Sequence, residues 1–333
     1  MHSEKRAVRV GIIGCGSMGS DLARNCASLE KAEIVGACDI EAKKAEQLAE
    51  ELDADCFASS RELLSEDVEA VIVAVPNFLH AEVSVEAAKA GKHVFCEKPM
   101  ALSVAECDEM IEAAKGSGVG LMIGQSERYD PVFDRVKQIV DSGIIGRPFS
   151  IHVERLDGRD WVRGGASWRG KAEACGGMLY HCNVHELDYM RYICEDVDRV
   201  GALMSKNVAE GTDYEDTTHV LLHFRNGCIG TFFGGHCSAL PRIGGKIHCT
   251  KGTIDFARRE GLTYKLFDGN EVGISAEDIE AEPATRREMR EFTESVIEGK
   301  RPTIPGEEGR KVIEIIAAAY LSAKEGRQVD LAG

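Results

Sequence analysis

Between residues 8 and 39 the chain runs through an apolar stretch from Val8 to Ile13 and then Gly14-Cys15-Gly16-Ser17-Met18-Gly19. A helical pattern from Met18 to Leu29 and a second apolar run from Glu33 to Cys38 follow, ending at Asp39. Three glycines set between a strand and a helix, with a carboxylate about 20 residues further on, leave few folds open. Gly14 permits the tight turn, and Gly16 lets backbone approach a pyrophosphate. Gly19 lets helix and strand pack closely, and Ser17 and Met18 open a helix whose N-terminus faces the phosphates. A carboxylate at Asp39 accepts hydrogen bonds from ribose hydroxyls and repels a 2′-phosphate. Ile40 and Glu41 follow it, with no arginine to neutralise such a phosphate. The expectation is a dinucleotide site that prefers NAD to NADP.

The alternation continues. Ala70 to Val75 is a continuous apolar run suited to a parallel strand covered on both faces. Helical patterns near 79–90 and 103–115 flank strands at His93–Cys96 and Val119–Ile123, and Ser103 with Glu106 has the spacing of a capping box. Residues 1–125 therefore read as an NAD-binding, doubly wound parallel sheet. Beyond about residue 145 the pattern becomes strand-rich, with runs at 148–156, 197–205, 216–225, 228–234, 245–250 and 262–267. Asn226-Gly227 between two alternating runs signals a hairpin. In its first arm Val220, Leu222 and Phe224 share one face, and His219, Leu221 and His223 the other. Two helices close the chain, the second with Val312, Ile315, Ile316, Ala319, Tyr320 and Ala323 on one stripe. The expected whole is α/β: a Rossmann domain at 1–125, then an α+β domain at 126–333 with a large, mostly antiparallel, open sheet. That second domain would bind substrate and form oligomers, with the terminal helix packing back on the first.

A length of 333 residues fits two domains, and 44% hydrophobic against 29% charged residues suits a soluble chain with real cores. The formal charge of −16 repels phosphate backbones, so nucleic acid is not an expected partner. No apolar run is long enough to span a bilayer, and the N-terminus has no signal-peptide pattern. The twelve cysteines include no Cys-x-x-Cys pair, so buried, reduced thiols in the cytoplasm are expected rather than a disulfide framework or zinc ribbon.

Two further segments carry chemistry. Glu97-Lys98-Pro99 ends a strand at the carboxyl edge of the parallel sheet, where ligands bind in such folds. A lysine there can hydrogen-bond a reacting hydroxyl and stabilise alkoxide charge, and a cis proline would fix its turn. Gly176-Gly177 leads into a predicted helix that places His181 and His185 four residues apart on one face. Histidine titrates near neutrality and can take a hydroxyl proton during hydride loss. Zinc is the competing use of such a pair. Neither Cys182 nor Glu186 shares a helical face with both histidines, and Tyr189 breaks the His-Glu-x-x-His order, so no metal is expected.

These residues resemble the glucose–fructose oxidoreductase, inositol dehydrogenase and MocA (Gfo/Idh/MocA) family over nearly the whole chain. The resemblance rests on the glycine fingerprint, Val75-Pro76-Asn77 with His80, Glu97-Lys98-Pro99, Gly176-Gly177 leading to His185 and Asp188, and the terminal Glu325-Gly326-Arg327. It implies an N-terminal Rossmann domain and a C-terminal α/β domain whose open sheet mediates homodimers or homotetramers. It also implies Lys98 and His185 as the catalytic lysine and histidine, and Pro76, Asn77, His80, Glu97 and Lys98 itself beside the cofactor. Where many sugar and inositol dehydrogenases of the family have aspartate, this chain has His181, and Asn183 replaces a frequent glycine. Both departures bear on activity toward myo-inositol itself. Arg128, Arg155, Asp157, Trp161, Trp168 and Asn183 are candidate substrate contacts, since tryptophan stacks on sugar rings and Arg/Asp pairs bind hydroxyls.

The function expected is NAD-dependent oxidation of a secondary ring hydroxyl of a sugar, glycoside or cyclitol, with His181 and His185 at the substrate. One alternative retains NAD and uses transient oxidation to cleave a glycosidic bond. Another is a non-catalytic NAD-binding regulator, against which Lys98 and the histidines count.

Overall fold

The computed structural model of the chain describes residues 7–158, 167–279 and 282–331. Six strands form one all-parallel sheet: β1 (Val8–Ile13), β2 (Ala32–Cys38), β3 (Asp55–Phe57), β4 (Ala70–Val73), β5 (His93–Glu97) and β6 (Leu121–Gly124). Their spatial order is β3-β2-β1-β4-β5-β6, the Rossmann order. Helices α1 (Ser17–Ala27), α2 (Ala42–Leu52), α3 (Ser60–Ser65), α4 (His80–Lys89) and α5 (Val104–Ser117) connect the strands. Every residue of β4 and β6 is buried, as strands covered on both faces require. Ser103 caps α5 by accepting the Glu106 N–H at 3.2 Å. Glu106 reaches back to the Leu102 N–H at 3.0 Å, one residue earlier than the ideal capping box. β3 and α3 lie outside the sequence expectation: three residues are too few to show a period. The cap of α3, Ser59 on the Glu62 N–H, is nonetheless a start signal.

The remaining strands form a nine-stranded sheet: β7 (Pro148–Leu156), β8 (Val197–Ser205), β9 (Thr217–Phe224), β10 (Ile229–Gly235), β11 (Arg242–Cys249), β12 (Gly252–Ala257), β13 (Gly261–Leu266), β14 (Glu271–Ser275) and β15 (Val329–Asp330). All neighbours are antiparallel except β7 and β10. In β9, Val220, Leu222 and Phe224 are buried while His219, Leu221 and His223 face out. Helices α6 (Pro131–Asp141), α7 (Ala172–Cys175), α8 (Met178–His181) and α9 (Val184–Cys194) accompany this sheet, and α10 (Ala284–Glu298) and α11 (Gly306–Glu325) follow. Strands β12, β14 and β15 and helix α6 were not expected. Asp130 caps α6, and its buried stripe is Val132, Phe133, Val136 and Ile139.

The chain divides into two compact units, one of residues 1–125 with 285–311, the other of 126–284 with 312–333. Assigning everything beyond residue 125 to the second domain is thus corrected. The penultimate helix and the first turns of the terminal one, as far as Lys311, return to the first unit. There Phe292 of α10 meets Phe95 of β5 edge to face at 5.6 Å. The Ile123 N–H donates to the Ile304 carbonyl at 2.9 Å, and Arg310 pairs with Asp108 at 2.6 Å. Ten of the twelve cysteines are buried. Among the described residues no helix is long and apolar enough to cross a membrane.

Candidate active site

In the first unit, Gly14 follows β1 at φ +97°, a conformation that side chains disfavour, and a Cβ there would strike the Ala74 carbonyl. A Cβ on Gly19 would strike the Gly14 carbonyl oxygen, whereas one on Gly16 would meet nothing within 4 Å. The turn is therefore packed behind and open in front. Gly16 caps α1, with Ser17 and Met18 exposed and no acidic side chain in the first turn, which leaves that end suited to an anion. Asp39 directly follows β2, and its two carboxylate oxygens accept the Cys15 N–H at 2.7 Å and the Glu41 N–H at 2.8 Å. Each oxygen keeps a lone pair for a ribose hydroxyl, so Asp39 both shapes the turn and fits the sugar. Open space at Gly16, an uncrowded helix terminus and this carboxylate together fit a dinucleotide.

Glu97 closes β5, buried, with one carboxylate oxygen accepting the Lys98 N–H at 2.9 Å. Burial pushes its carboxyl up to about 7, against the counter-pull of the Lys98 charge. Lys98 is half-buried, and the Lys98–Pro99 peptide is cis, as the sequence suggested. Pro76 is half-buried and Asn77 buried in the loop after β4. His80 is also buried, and both its ring nitrogens face main-chain carbonyls, Pro99 at 2.6 Å and Val75 at 2.9 Å. Its imidazole therefore sits between the loop bearing Asn77 and the turn bearing Lys98, and when neutral it donates to one of the two carbonyls. Burial holds it below the ordinary histidine range.

In the second unit both glycines of Gly176-Gly177 have positive φ, +87° and +94°. A Cβ on Gly177 would collide with the Tyr320 hydroxyl. That hydroxyl donates to Glu215, whose same oxygen accepts the Met178 N–H at 3.0 Å and so covers the start of α8. His181 ends α8, and the Asn183 N–H reaches back to the Met178 carbonyl at 3.1 Å, widening the turn before α9 begins at Val184. The expected single helix is thus broken at Cys182-Asn183, and His181 and His185 stand on different helices. The one-face argument for the pair falls. His181 is half-buried, its ring edge-on to Trp168 at 5.4 Å; Asn183 and His185 are buried.

Helix α9 is held by ion pairs. Arg128 grips Asp188 through two hydrogen bonds of 2.7 and 2.6 Å, with both side chains buried. Arg155 bonds Glu186 and Asp157, each at 3.1 Å. The carboxylates one and three residues after His185 are thereby fixed, and Arg128 and Arg155 act on the helix first. Asp157 and Trp168 are half-buried, and Trp161 lies outside the described residues. Sequence reasoning missed Glu127, which accepts from Arg258 and is raised to about 7, chiefly by burial. It also missed His236, whose Nε2 is 3.4 Å from the Cys182 sulfur. No local signal marks either, because their partners come from distant segments.

A Rossmann sheet with a dinucleotide turn, in one chain with a nine-stranded, mostly antiparallel sheet, is the architecture of a nucleotide-dependent oxidoreductase. Residues 8–125 match the model of the oxidoreductase family with an NAD-binding Rossmann fold, and residues 133–255 that of the GFO/IDH/MocA C-terminal domain. The chain belongs to the Gfo/Idh/MocA oxidoreductases. It is 29% identical to myo-inositol 2-dehydrogenase of Thermotoga maritima, over 97% of this chain and 98% of that one. It is 33% identical to 2,7-anhydro-N-acetylneuraminate hydratase of Mediterraneibacter gnavus, over 87% of this chain and 78% of the relative. The fold matches a levoglucosan dehydrogenase solved with NADH and levoglucosan, with a TM-score of 0.89, 24% identity, and 98% and 100% of the two chains covered.

Proposed function

We propose that the protein oxidises a secondary ring hydroxyl of a sugar, glycoside or cyclitol to the ketone, using NAD in preference to NADP. The observation that carries this reading is Lys98, a half-buried ammonium directly after buried Glu97 at the carboxyl end of β5, in the unit that holds the glycine turn. When bound, the nicotinamide supplies the hydride acceptor. Glu97, Pro76 and Asn77 shape the cofactor's nicotinamide end, and Asp39 selects against the 2′-phosphate. His185 takes the hydroxyl proton, and Lys98 stabilises alkoxide charge as it develops. Asp157, Trp168, His181 and Asn183 are the substrate contacts we favour, with His181 standing where an aspartate is frequent. The relatives named for myo-inositol support the substrate class.

The test is to screen sugars, glycosides and cyclitols for NADH formation. A ring polyol that reduces NAD with wild-type protein and not with Lys98→Met supports the reading, and no turnover with any of them sinks it.

The hydratase relatives favour a second reading. Hydration carries no net oxidation, so an NAD-binding member with that outcome must return its hydride within each cycle. Product formation at catalytic NAD without NADH accumulation would distinguish it. We further propose a cytoplasmic homodimer or homotetramer built on the outer face of the nine-stranded sheet, where Leu203, Leu221 and Ile229 are exposed. A monomer by light scattering would overturn that assembly.

A further inference from the structure

Glu288 of α10 belongs to the first unit and is fully buried, and no N–H or O–H of the described residues donates to either of its carboxyl oxygens. An ionised carboxylate left without a donor in an apolar interior is among the costliest arrangements a fold can hold, so the group keeps its proton. A buried carboxylic acid then has one O–H to place.

The packing shows where. Phe95 and Glu97 are two residues apart on β5 and share a face of the strand, while Glu288 and Phe292 are four apart on α10 and share a stripe of the helix. The two phenylalanine rings meet at 5.6 Å, which lays that stripe on that face. One rung along, Glu288 comes near enough to Glu97 for the Glu97 carboxylate to bear on it. The charged groups that bear on Glu288 are Glu97 from the strand and, more weakly, Glu291 from its own helix. Burial first and these two next push it well above the ordinary carboxylate range. Glu97 has already committed one oxygen to the Lys98 N–H. Its other oxygen lies against Gly124, where a Cβ would sit 3.3 Å away.

We propose that Glu288 donates its proton in a hydrogen bond to Glu97 and is thereby a positioning residue for the cofactor site. The proton stays within the pair, and the Glu97 carboxylate is held from both sides, by the Lys98 main chain and by the Glu288 O–H. This rests on the reading of Glu97 as a cofactor residue. The helix that returns from the far end of the chain thus does more than cover the sheet.

The test compares Glu288→Leu, Glu288→Gln and Glu97→Gln by calorimetric NAD binding, thermal melting and infrared spectroscopy. Glu288→Leu removes the donor and should weaken NAD binding about tenfold or more without lowering the melting temperature, since it also removes a buried polar group. Glu288→Gln keeps an N–H donor and should stay within about threefold of wild type. At about pH 8, above the range of Glu97, wild type should show the C=O stretch of a protonated carboxyl that is absent from Glu288→Gln and shifted in Glu97→Gln. No such band, or a band indifferent to Glu97→Gln, overturns the proposal. So does a Glu288→Leu protein that binds NAD normally while Glu97→Gln binds it weakly. If Glu97→Gln itself binds NAD normally, the reading of Glu97 fails, and the pair stands or falls on the infrared shift alone. Should Glu288→Leu fail to fold, the Glu288→Gln binding and infrared arms decide.

Discussion

The two units present their functional residues by different means. The first uses main chain: glycines at positive φ or in close contact, loops at the carboxyl ends of parallel strands, and His80 set between two carbonyls. The second uses side chains: α9 is held by arginines reaching Asp188 and Glu186 from residues 128 and 155. A main-chain site depends on few side-chain identities and suits a cofactor common to many reactions. A side-chain site can change its ligand by changing a few residues while the fold stays, which suits a substrate.

The largest effect that would break this comparison is expected at Arg128. Arg128→Met leaves Asp188 buried and uncompensated, and should cost about 3–5 kcal/mol of unfolding free energy. A urea melt close to wild type would mean that α9 is held by packing rather than by charge. Next is the pH dependence of the first unit. Glu97 titrates at about 7 in the folded chain against an ordinary 4.5, so the folded state holds its proton longer than the unfolded state. Stability is therefore highest below pH 4.5 for this group and is lost as pH rises through 7. The loss is roughly 3 kcal/mol at most, and Glu97→Gln should remove it from the NAD-free protein. Parallel stability profiles for wild type and variant between those limits would refute this.

Lys98→Met keeps the stem and removes the charge, so kcat should fall about 100-fold while NAD affinity changes little. Near-normal kcat would move the chemistry off the β5 edge. The smallest effect is cofactor choice, where a 2′-phosphate facing Asp39 should weaken NADP about tenfold relative to NAD. Equal dissociation constants by calorimetry would reduce Asp39 to its hydrogen bonds with Cys15 and Glu41.

What was legible in the sequence follows the same division. The glycine turn, the parallel alternation, the Ser103 cap and the Asn226-Gly227 hairpin are written in neighbouring residues, and they stand as expected. The break between His181 and His185 was not legible, because nothing in Cys182-Asn183 distinguishes a widened turn from a continuous helix. Nor were the Arg128–Asp188 and Glu127–Arg258 pairs, whose partners are separated by 60 and 131 residues. Helix α6 was readable from Asp130-Pro131 and its apolar stripe, and the strand-rich pattern around it hid it.

The return of residues 285–311 to the first unit has a consequence for the newborn chain. Phe95 leaves the ribosome long before Phe292, its partner about 200 residues later, so the amino-terminal sheet is made early and finished late. Until then its β5 face, with Phe95 and Glu97, stays open to whatever the cell offers, chaperones included. A chain released before residue 285 would be a sheet without its cover, and so a target for aggregation or proteolysis rather than an independent nucleotide-binding fragment.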